Sequence, residues 1–154
     1  GSSYNHGVAF KIASNFLLNQ PNIAYKSLKK MYPINHKESG MEEYALGNMY
    51  FGPDAISRAG FAPMPWITGT SGWIFKDILE LMCGIKPDYD GLIIDPCLST
   101  SLKNIYIERV YQGVRYKILV KKTGKKLILV DNKKIENNKV FLKRKKEINV
   151  IYEY

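Results

Sequence analysis

The sequence predicts an α+β chain in which a helical first part is followed by a β-rich second part. Three observations support this prediction. Apolar residues recur at helical spacing as far as Gly84, short Ile-, Val- and Tyr-rich segments follow Pro87, and turn dipeptides separate those segments. We place the change at "GIKPDYDG", so that residues 1–90 form the helical domain and residues 91–154 form an antiparallel β-sandwich. The length of 154 residues, 45% of them hydrophobic, suffices for two small domains.

Two helices are predicted before residue 33. The segment "VAFKIASNFLLN" carries apolar residues at every third or fourth position, which is the pattern of a helix that buries a wide face. After the break at "QPN", Asn22 is the expected N-cap of a second helix, "IAYKSLKKMY". Pro33 is expected to end this helix.

The third predicted helix is "SGWIFKDILELMCG". Ser71 is the expected cap and Gly84 the expected end. Apolar side chains surround most of the circumference of this segment. A helix of this kind must be deeply buried, as it would be in a large helical barrel.

The β-rich part is predicted from five segments with high β propensity, several of which alternate between apolar and polar residues. They are "GLIIDP", "NIYIERVY", "VRYKILVKK", "KKLILVDN" and "KVFLKRKKEINVIYEY". Turns are expected between them at Gln112-Gly113, Thr123-Gly124, Asp131-Asn132 and Asn137-Asn138.

The net charge of +9 is concentrated in one half of the chain. Residues 1–100 carry 8 basic and 9 acidic side chains, whereas residues 101–154 carry 15 basic and 5 acidic ones. Such asymmetry occurs in nucleic-acid-binding proteins. Because these lysines fall in turns and alternating strand positions, a solubilising role at strand edges is the favoured interpretation.

The composition places the protein in a reducing, aqueous compartment. No apolar run is long enough to span a membrane, and no secretory signal pattern is present, so we expect a soluble, cytoplasmic protein. Cys83 and Cys97 are expected to remain thiols. His6 and His36 are not at metal-site spacing, so we expect no metal.

The segment "PWITGTSGW" predicts an anion site. Small residues come directly before a predicted helix, whose first N–H groups are unpaired and lie at the positive end of the helix dipole. Phosphate is the expected anion. Trp66 is a candidate for stacking on a sugar ring, whereas Trp73, inside the helix, is expected to pack.

The chain resembles the inverting disaccharide phosphorylases of glycoside hydrolase family 94. The matching stretches occur in the order and at the spacing of that family, and they are "YNHGVAFKI", "EEYALGNMYFGPD", "PWITGTSGW", "GIKPDYDGLIIDPCL" and "IERVYQGVRYKI". The resemblance implies the last helices of an (α/α)6 barrel followed by a C-terminal β-sandwich. It also implies a glycosyltransferase-type disaccharide phosphorylase. Such an enzyme cleaves a β-linked glucose disaccharide or oligosaccharide with inorganic phosphate and releases α-glucose 1-phosphate.

The resemblance implies a phosphate pocket that includes His6, Thr68 and Gly69, with Asn48 at the position where relatives often have glutamine. Inorganic phosphate is then a co-substrate, and no cofactor is expected. Trp66 and Thr70 are the residues expected to bind the sugar substrate. Glu43 departs from the proline of the family's "E-P-Y". Tyr44 and Tyr50 are plausible cleft residues, but the core is the place that we expect for both.

The resemblance also implies that catalysis needs more than this chain. The general-acid aspartate of the family precedes the "YNH" segment, and no aspartate here matches its motif. Asp88, Asp90 and Asp95 belong to "PDYDGLIIDPC", which we interpret as a structural hinge. We therefore expect no turnover by the chain alone. The expected partners are a β-glucoside, phosphate and the N-terminal part of the same enzyme, which is expected to be a homodimer.

Two alternatives remain open. The basic β unit could bind single-stranded nucleic acid through lysines and interleaved tyrosines, or it could be a carbohydrate-binding sandwich without catalysis. Cellobiose, laminaribiose, a β-1,2-glucan and an oxidised disaccharide remain equally open as substrates.

Overall fold

A computed structural model describes residues 1–142 and 145–154 and confirms an α+β chain with few helices and several sheets. The chain divides into two compact units, Gly1–Ile78 and Leu79–Tyr154. The first unit contains the helices and one short antiparallel strand pair, β1 (Ser3–Tyr4) and β2 (Met49–Tyr50). None of the described helices is long and apolar enough to cross a membrane.

The first unit is built around three helices, α1 (Asn5–Leu17), α2 (Pro21–Lys30) and α3 (Thr70–Lys76). Helix α1 packs against both other helices. The buried residues at this centre are small or aliphatic, with one aromatic ring, as the helical pattern of the sequence predicts: Ala9, Ile12, Phe16, Ala24 and Leu28. A π-helical turn, Asp77–Met82, continues from α3.

The predicted N-caps are wrong. Helix α2 already begins at Pro21, so Asn22 lies in its first turn, and Gln20 holds the cap position. Proline at the first helical position needs no N–H partner, which favours this earlier start. Helix α3 begins at Thr70 after Gly69, which places Ser71 inside the helix.

Helix α3 is also less buried than predicted. Ile74 is 6% exposed, whereas Phe75 is 67% and Trp73 is 37% exposed. The reason is that α1 covers one side of α3 within this unit, and an apolar circumference needs neighbours on every side. The helix therefore presents a broad apolar surface.

The C-terminus of α2 is closed by the side chains of two residues, Asn35 and His36, for which no such role was predicted. The side-chain amide of Asn35 donates to the Lys29 carbonyl at 2.8 Å, and His36 Nε2 donates to the Lys30 carbonyl at 2.6 Å. The last carbonyls of a helix have no intrahelical partner, so these bonds satisfy them.

We expect Asn35→Ala to lower the free energy of unfolding of the first unit by about 1 kcal/mol, because the Lys29 carbonyl loses its donor. Urea unfolding followed by tryptophan fluorescence measures this, since Trp66 and Trp73 both lie in this unit. An unchanged transition midpoint would show that water replaces the amide at no cost.

The second unit contains two sheets. The three-stranded sheet has the order β3 (Ile85–Asp88), β4 (Gly91–Ile94) and β9 (Lys139–Phe141). The five-stranded sheet has the order β5 (Asn104–Tyr111), β6 (Val114–Lys121), β10 (Glu147–Glu153), β7 (Leu127–Val130) and β8 (Lys133–Ile135). Both sheets bury apolar side chains, which is consistent with a β-sandwich.

Hydrogen bonds join the two sheets at one edge. The Arg109 guanidinium on β5 donates to the Ile85 carbonyl on β3 at 2.7 Å, and the Tyr111 hydroxyl donates to the Asp88 carbonyl at 2.8 Å. The side chains of Arg109 and Tyr111 therefore satisfy backbone carbonyl groups of the smaller sheet.

The predicted hinge "PDYDGLIIDPC" contains the turn and the second strand of a β-hairpin, which is formed by β3 and β4 and belongs to the second unit. Its carboxylates pair with one lysine, because Lys139 Nζ lies 2.8 Å from Asp88 and also contacts Asp90. This pairing fits the structural role that we predict for these aspartates. Asp95 donates its backbone N–H to the Gly84 carbonyl at 2.8 Å.

One strand pairing differs from the antiparallel prediction. Strand β10 runs parallel to β6, with Ile148 beside Tyr116 and Val150 beside Ile118, and antiparallel to β7. The short-range pattern of a sequence predicts strands but not which distant strands meet, so this pairing was not foreseen. The last strand of the unit thus lies at the centre of its larger sheet.

Candidate functional site

The candidate site begins at the first turn of α1, which carries His6. Asn5, only 1% exposed, fixes this turn to the loop before β2: its backbone N–H donates to the Asn48 carbonyl and its side-chain amide to the Gly47 carbonyl, each at 2.9 Å. Asn48 is therefore tied to the residue next to His6 by its backbone. The sequence motif "YNH" thus combines an anchoring residue with the candidate ligand.

Aromatic rings enclose the imidazole of His6. Its ring centroid lies 4.8 Å from that of Phe10, 6.1 Å from Tyr4 and 6.4 Å from Trp73. Phe10 and Trp73 in turn make an edge-to-face contact at 4.7 Å, which confirms the predicted packing role of Trp73. The Nε2 atom of His6 is buried and has no hydrogen-bond partner among the described residues.

Gly69 lies directly against the imidazole. A Cβ added to Gly69 would stand 2.7 Å from His6 Cε1 and 3.2 Å from Nε2, so any larger residue would displace the ring. The need for glycine here comes from this close approach, because its φ of −79° is open to every residue. Two of the predicted phosphate ligands are thereby in contact.

Thr68 and Thr70 form a hydroxyl pair at the start of α3. Their Oγ1 atoms are 2.7 Å apart, and the Thr70 N–H also donates to Thr68 Oγ1 at 3.1 Å. Thr70 is fully buried, whereas Thr68 is partly exposed. Thr70 therefore holds Thr68 in place and does not itself present a donor at the surface.

A shallow depression of about 330 Å³ lies beside this turn and is lined by Gly69, Gly72, Trp73 and Lys76. The Lys76 ammonium stands 5.7 Å from the centroid of the Trp73 ring. A cation at this place favours an anionic ligand. Lys76 was not predicted as a site residue, although it lies one helical turn after Gly72 and therefore on the same face of the helix.

The exposed aromatic residues of the first unit include two that lie close together. Trp66 is 68% exposed and its ring centroid is 6.2 Å from that of Tyr44, which is 78% exposed. The prediction that Tyr44 is a core residue is therefore wrong, while Tyr50, 9% exposed, is confirmed as one.

Asp77 is a buried carboxyl that the sequence analysis did not use. It is 0% exposed, and neither of its oxygens has a hydrogen-bond partner among the described residues. Burial raises the pKa of Asp77 to about 6, and the neighbouring Lys76 offsets part of that rise.

The cysteines match the prediction, because Cys83 and Cys97 form no disulfide. Burial raises the pKa of the Cys83 thiol to about 11. Within residues 1–142 and 145–154, no group of three or more His, Cys, Asp or Glu side chains is arranged to hold a metal ion.

Comparison with known proteins shows which enzymes carry similar motifs. The chain is 35% identical over 144 residues to solabiose phosphorylase from Paenibacillus borealis, a match that covers 88% of this chain and 19% of the relative. This chain is a relative of the disaccharide phosphorylases. The predicted resemblance is thereby confirmed over most of the chain.

Further phosphorylases support this relationship. Cellobionic acid phosphorylase from Neurospora crassa is 28% identical over 84% of this chain and 17% of the relative. N,N'-diacetylchitobiose phosphorylase from Vibrio proteolyticus is 26% identical over 78% of this chain and 15% of the relative. The chain spans less than a fifth of the length of these curated phosphorylases. No protein-family model matches it.

Proposed function

We propose that this chain is the C-terminal part of an inverting glycoside phosphorylase. The parent enzyme cleaves a β-linked glucose disaccharide or oligosaccharide with inorganic phosphate, gives α-glucose 1-phosphate and thus acts as a glycosyltransferase. The names of the relatives support phosphorolysis of a disaccharide. In this proposal the helices of the first unit complete an (α/α)6 barrel, and the second unit is the C-terminal β-sandwich.

The observation that carries the proposal is the unpartnered, buried Nε2 atom of His6 beside Gly69. A buried ring nitrogen without a partner costs free energy, and a ligand oxygen at this place removes that cost. Phosphate oxygen is the ligand that fits best, because Lys76 is a nearby cation and Thr68 is a further donor. Asn48 completes the proposed set from the loop that anchors α1.

The hydroxyl pair gives Thr68 a definite role. When Thr70 donates both its hydroxyl and its N–H to Thr68 Oγ1, the Thr68 proton remains available for an anion. We therefore assign Thr70 to the positioning of Thr68 rather than to contact with the sugar. Trp66, together with Tyr44, is the proposed stacking surface for a sugar ring.

This arrangement suits phosphorolysis because phosphate is already a nucleophile. An inverting hydrolase needs a base to activate water, whereas an enzyme that uses phosphate needs only to hold the anion and to direct one oxygen at the anomeric carbon. Inorganic phosphate is then a co-substrate, and we propose no cofactor. An imidazole, a hydroxyl and backbone N–H groups bind an anion without adding a competing carboxylate.

The general acid is proposed to lie in the N-terminal part of the same enzyme. Asp77 holds a proton at mildly acidic pH, but it is fully buried and so does not meet a leaving group. The chain alone should therefore give no glucose 1-phosphate. A cytoplasmic homodimer is the proposed state of the parent enzyme, and the acceptor sugar is left open.

Phosphate binding by the chain tests the site directly, with isothermal calorimetry or amide chemical shifts as the measurement. We expect His6→Ala and Gly69→Ala each to weaken binding about tenfold, since the first removes a ligand and the second displaces it. Gly124→Ala is the control, because its added methyl group meets nothing within 4 Å and Gly124 lies in the second unit, outside the proposed site. Equal phosphate affinity in all three variants would refute the site.

A further inference from the structure

A second cavity of the first unit lies on the other side of α1. It measures about 440 Å³, a volume within the usual range for small-molecule sites. Helix α1 contributes Val8 and Lys11 to its lining, and α2 contributes Ser27 and Lys30. The proposed function leaves this cavity without a role.

The cavity and the candidate phosphate site lie on different faces of helix α1. Successive residues of an α-helix are about 100° apart, so Val8 and Lys11 share one face while His6 and Phe10 share another. The structure agrees, because His6 and Phe10 contact Trp73, whereas Val8 and Lys11 line the cavity toward α2.

One wall of the cavity is a stacked pair of rings. His36 and Tyr50 lie with centroids 4.3 Å apart and planes inclined by 28°. His36 is held in place because its Nε2 donates to the Lys30 carbonyl at 2.6 Å. The two rings cover each other's facing surfaces, and the part of the pair that lines the cavity combines apolar ring surface with polar atoms at the ring edges, which suits a sugar ring.

The hydroxyl group of Tyr50 is a neutral hydrogen-bond donor that has no acceptor among the described residues. The residue as a whole is 9% exposed. Burial, helped by Glu38, raises the pKa of this hydroxyl, so it keeps its proton. A ligand oxygen or an ordered water would satisfy it.

The charges around the cavity favour an anion. Lys11 and Lys30 are exposed at its rim, and neither forms an ion pair in the part of the chain that the structure describes. Glu38 is the one acidic residue in the described lining, and its carboxylate lies 3.9 Å from His36 Nδ1. The lining therefore contains two lysines and one carboxylate, and His36 is a potential partner for that carboxylate.

We propose that this cavity binds a monosaccharide-sized ligand with one anionic group, as in a sugar acid or a sugar phosphate. Lys11 and Lys30 bind the anionic group, the His36–Tyr50 wall packs against the sugar ring, and Ser27 bonds a hydroxyl. The inference does not depend on the phosphorylase activity, because it concerns a different face of α1.

A titration of the ¹⁵N-labelled chain with glucuronate tests this proposal, with α-glucose 1-phosphate as the phosphate probe and glucose as the neutral one. We expect saturable shifts at Ser27, Lys30, His36 and Tyr50 with an anionic probe and not with glucose. Lys11→Gln and Lys30→Gln should each weaken binding about tenfold. Lys26→Gln, an exposed lysine of α2 outside the cavity lining, is the matched control and should leave binding unchanged.

The two anionic probes separate the sources of the charge. Binding of glucuronate alone supports a sugar acid, and binding of glucose 1-phosphate alone supports a sugar phosphate, provided that the lysine variants weaken it. Three results would overturn the proposal: no shifts with millimolar anionic probe, equal shifts with glucose, or binding that His6→Ala abolishes while the lysine variants retain it. The last result would move the ligand to the phosphate site.

Discussion

Gly84→Ala should destabilise the second unit by about 3 kcal/mol or more, the largest effect that we expect from a single methyl group in this chain. Gly84 has a φ of +67°, which disfavours any side chain. An added Cβ would also collide with the backbone carbonyl group of Asp95 and with the nitrogen of Pro96. Backbone atoms cannot move aside as a flexible side chain does, so the chain itself would have to shift.

Two hydrogen bonds hold the segment around Gly84 against the segment around Asp95. The Asp95 N–H donates to the Gly84 carbonyl at 2.8 Å, and the Cys97 N–H donates to the Met82 carbonyl at 2.9 Å. A methyl group at Gly84 would separate these two segments and break both bonds. The expected loss is therefore larger than the conformational strain alone.

Gly124→Ala is the matched control for this prediction. Gly124 also has a positive φ, +76°, but an added Cβ there meets nothing within 4 Å, so we expect a loss of about 1 kcal/mol from strain alone. Urea unfolding followed by circular dichroism of the strands measures both losses, and tryptophan fluorescence monitors the first unit separately. Equal losses in the two variants would show that the contact with Asp95 costs nothing.

Asp77→Asn should stabilise the first unit at pH 7 and abolish a pH dependence of the wild type. The pKa of Asp77 is raised from 3.8 to about 6 by burial, so between these values the folded state holds a proton that the unfolded state has lost. The stability of the wild type must therefore fall as the pH rises from about 4 to 6. The shift corresponds to on the order of 2–3 kcal/mol.

Unfolding by urea at a series of pH values, followed by tryptophan fluorescence, measures this effect. In Asp77→Asn the fall should be absent, because the amide does not titrate. Asp54→Asn is the control: Asp54 is exposed, and its hydrogen bond with the N-terminal amine lowers its pKa, so its removal should leave the fall in place. A wild type equally stable at pH 4.5 and pH 7 would contradict the burial of an unpaired carboxyl.

Local sequence patterns predicted the strands of the second unit well. Strand β5 has the predicted bounds and β6 ends one residue before its predicted end, because the intervening Gln112 and Gly113 adopt the positive φ values of a tight hairpin turn. Asp131 and Asn132 do the same between β7 and β8. Strand β3 was missed because Pro87 suggested a break, yet a proline is tolerated at a sheet edge.

The candidate site was predicted in part, for a similar reason. The glycine and threonines of "WITGTSGW" predict the start of a helix and a close approach of the backbone to a neighbouring group. In the structure that group is the imidazole of His6, which lies against Gly69. The burial of Thr70 and the exposure of Tyr44 depend on which elements cover them, and sequence periodicity does not carry that information. Asp77 was missed because a charged residue in an apolar helix is usually placed on a solvated face.

The central position of β10 in the larger sheet affects how the protein is made. The other seven described strands of the second unit precede β10 in the chain, so β6 and β7 are synthesised before the strand that separates them in the sheet. Until β10 is made, both strands have unpaired edges that could pair wrongly with each other or with another nascent chain. The larger sheet can therefore be completed only after β10 has been synthesised and has left the ribosome.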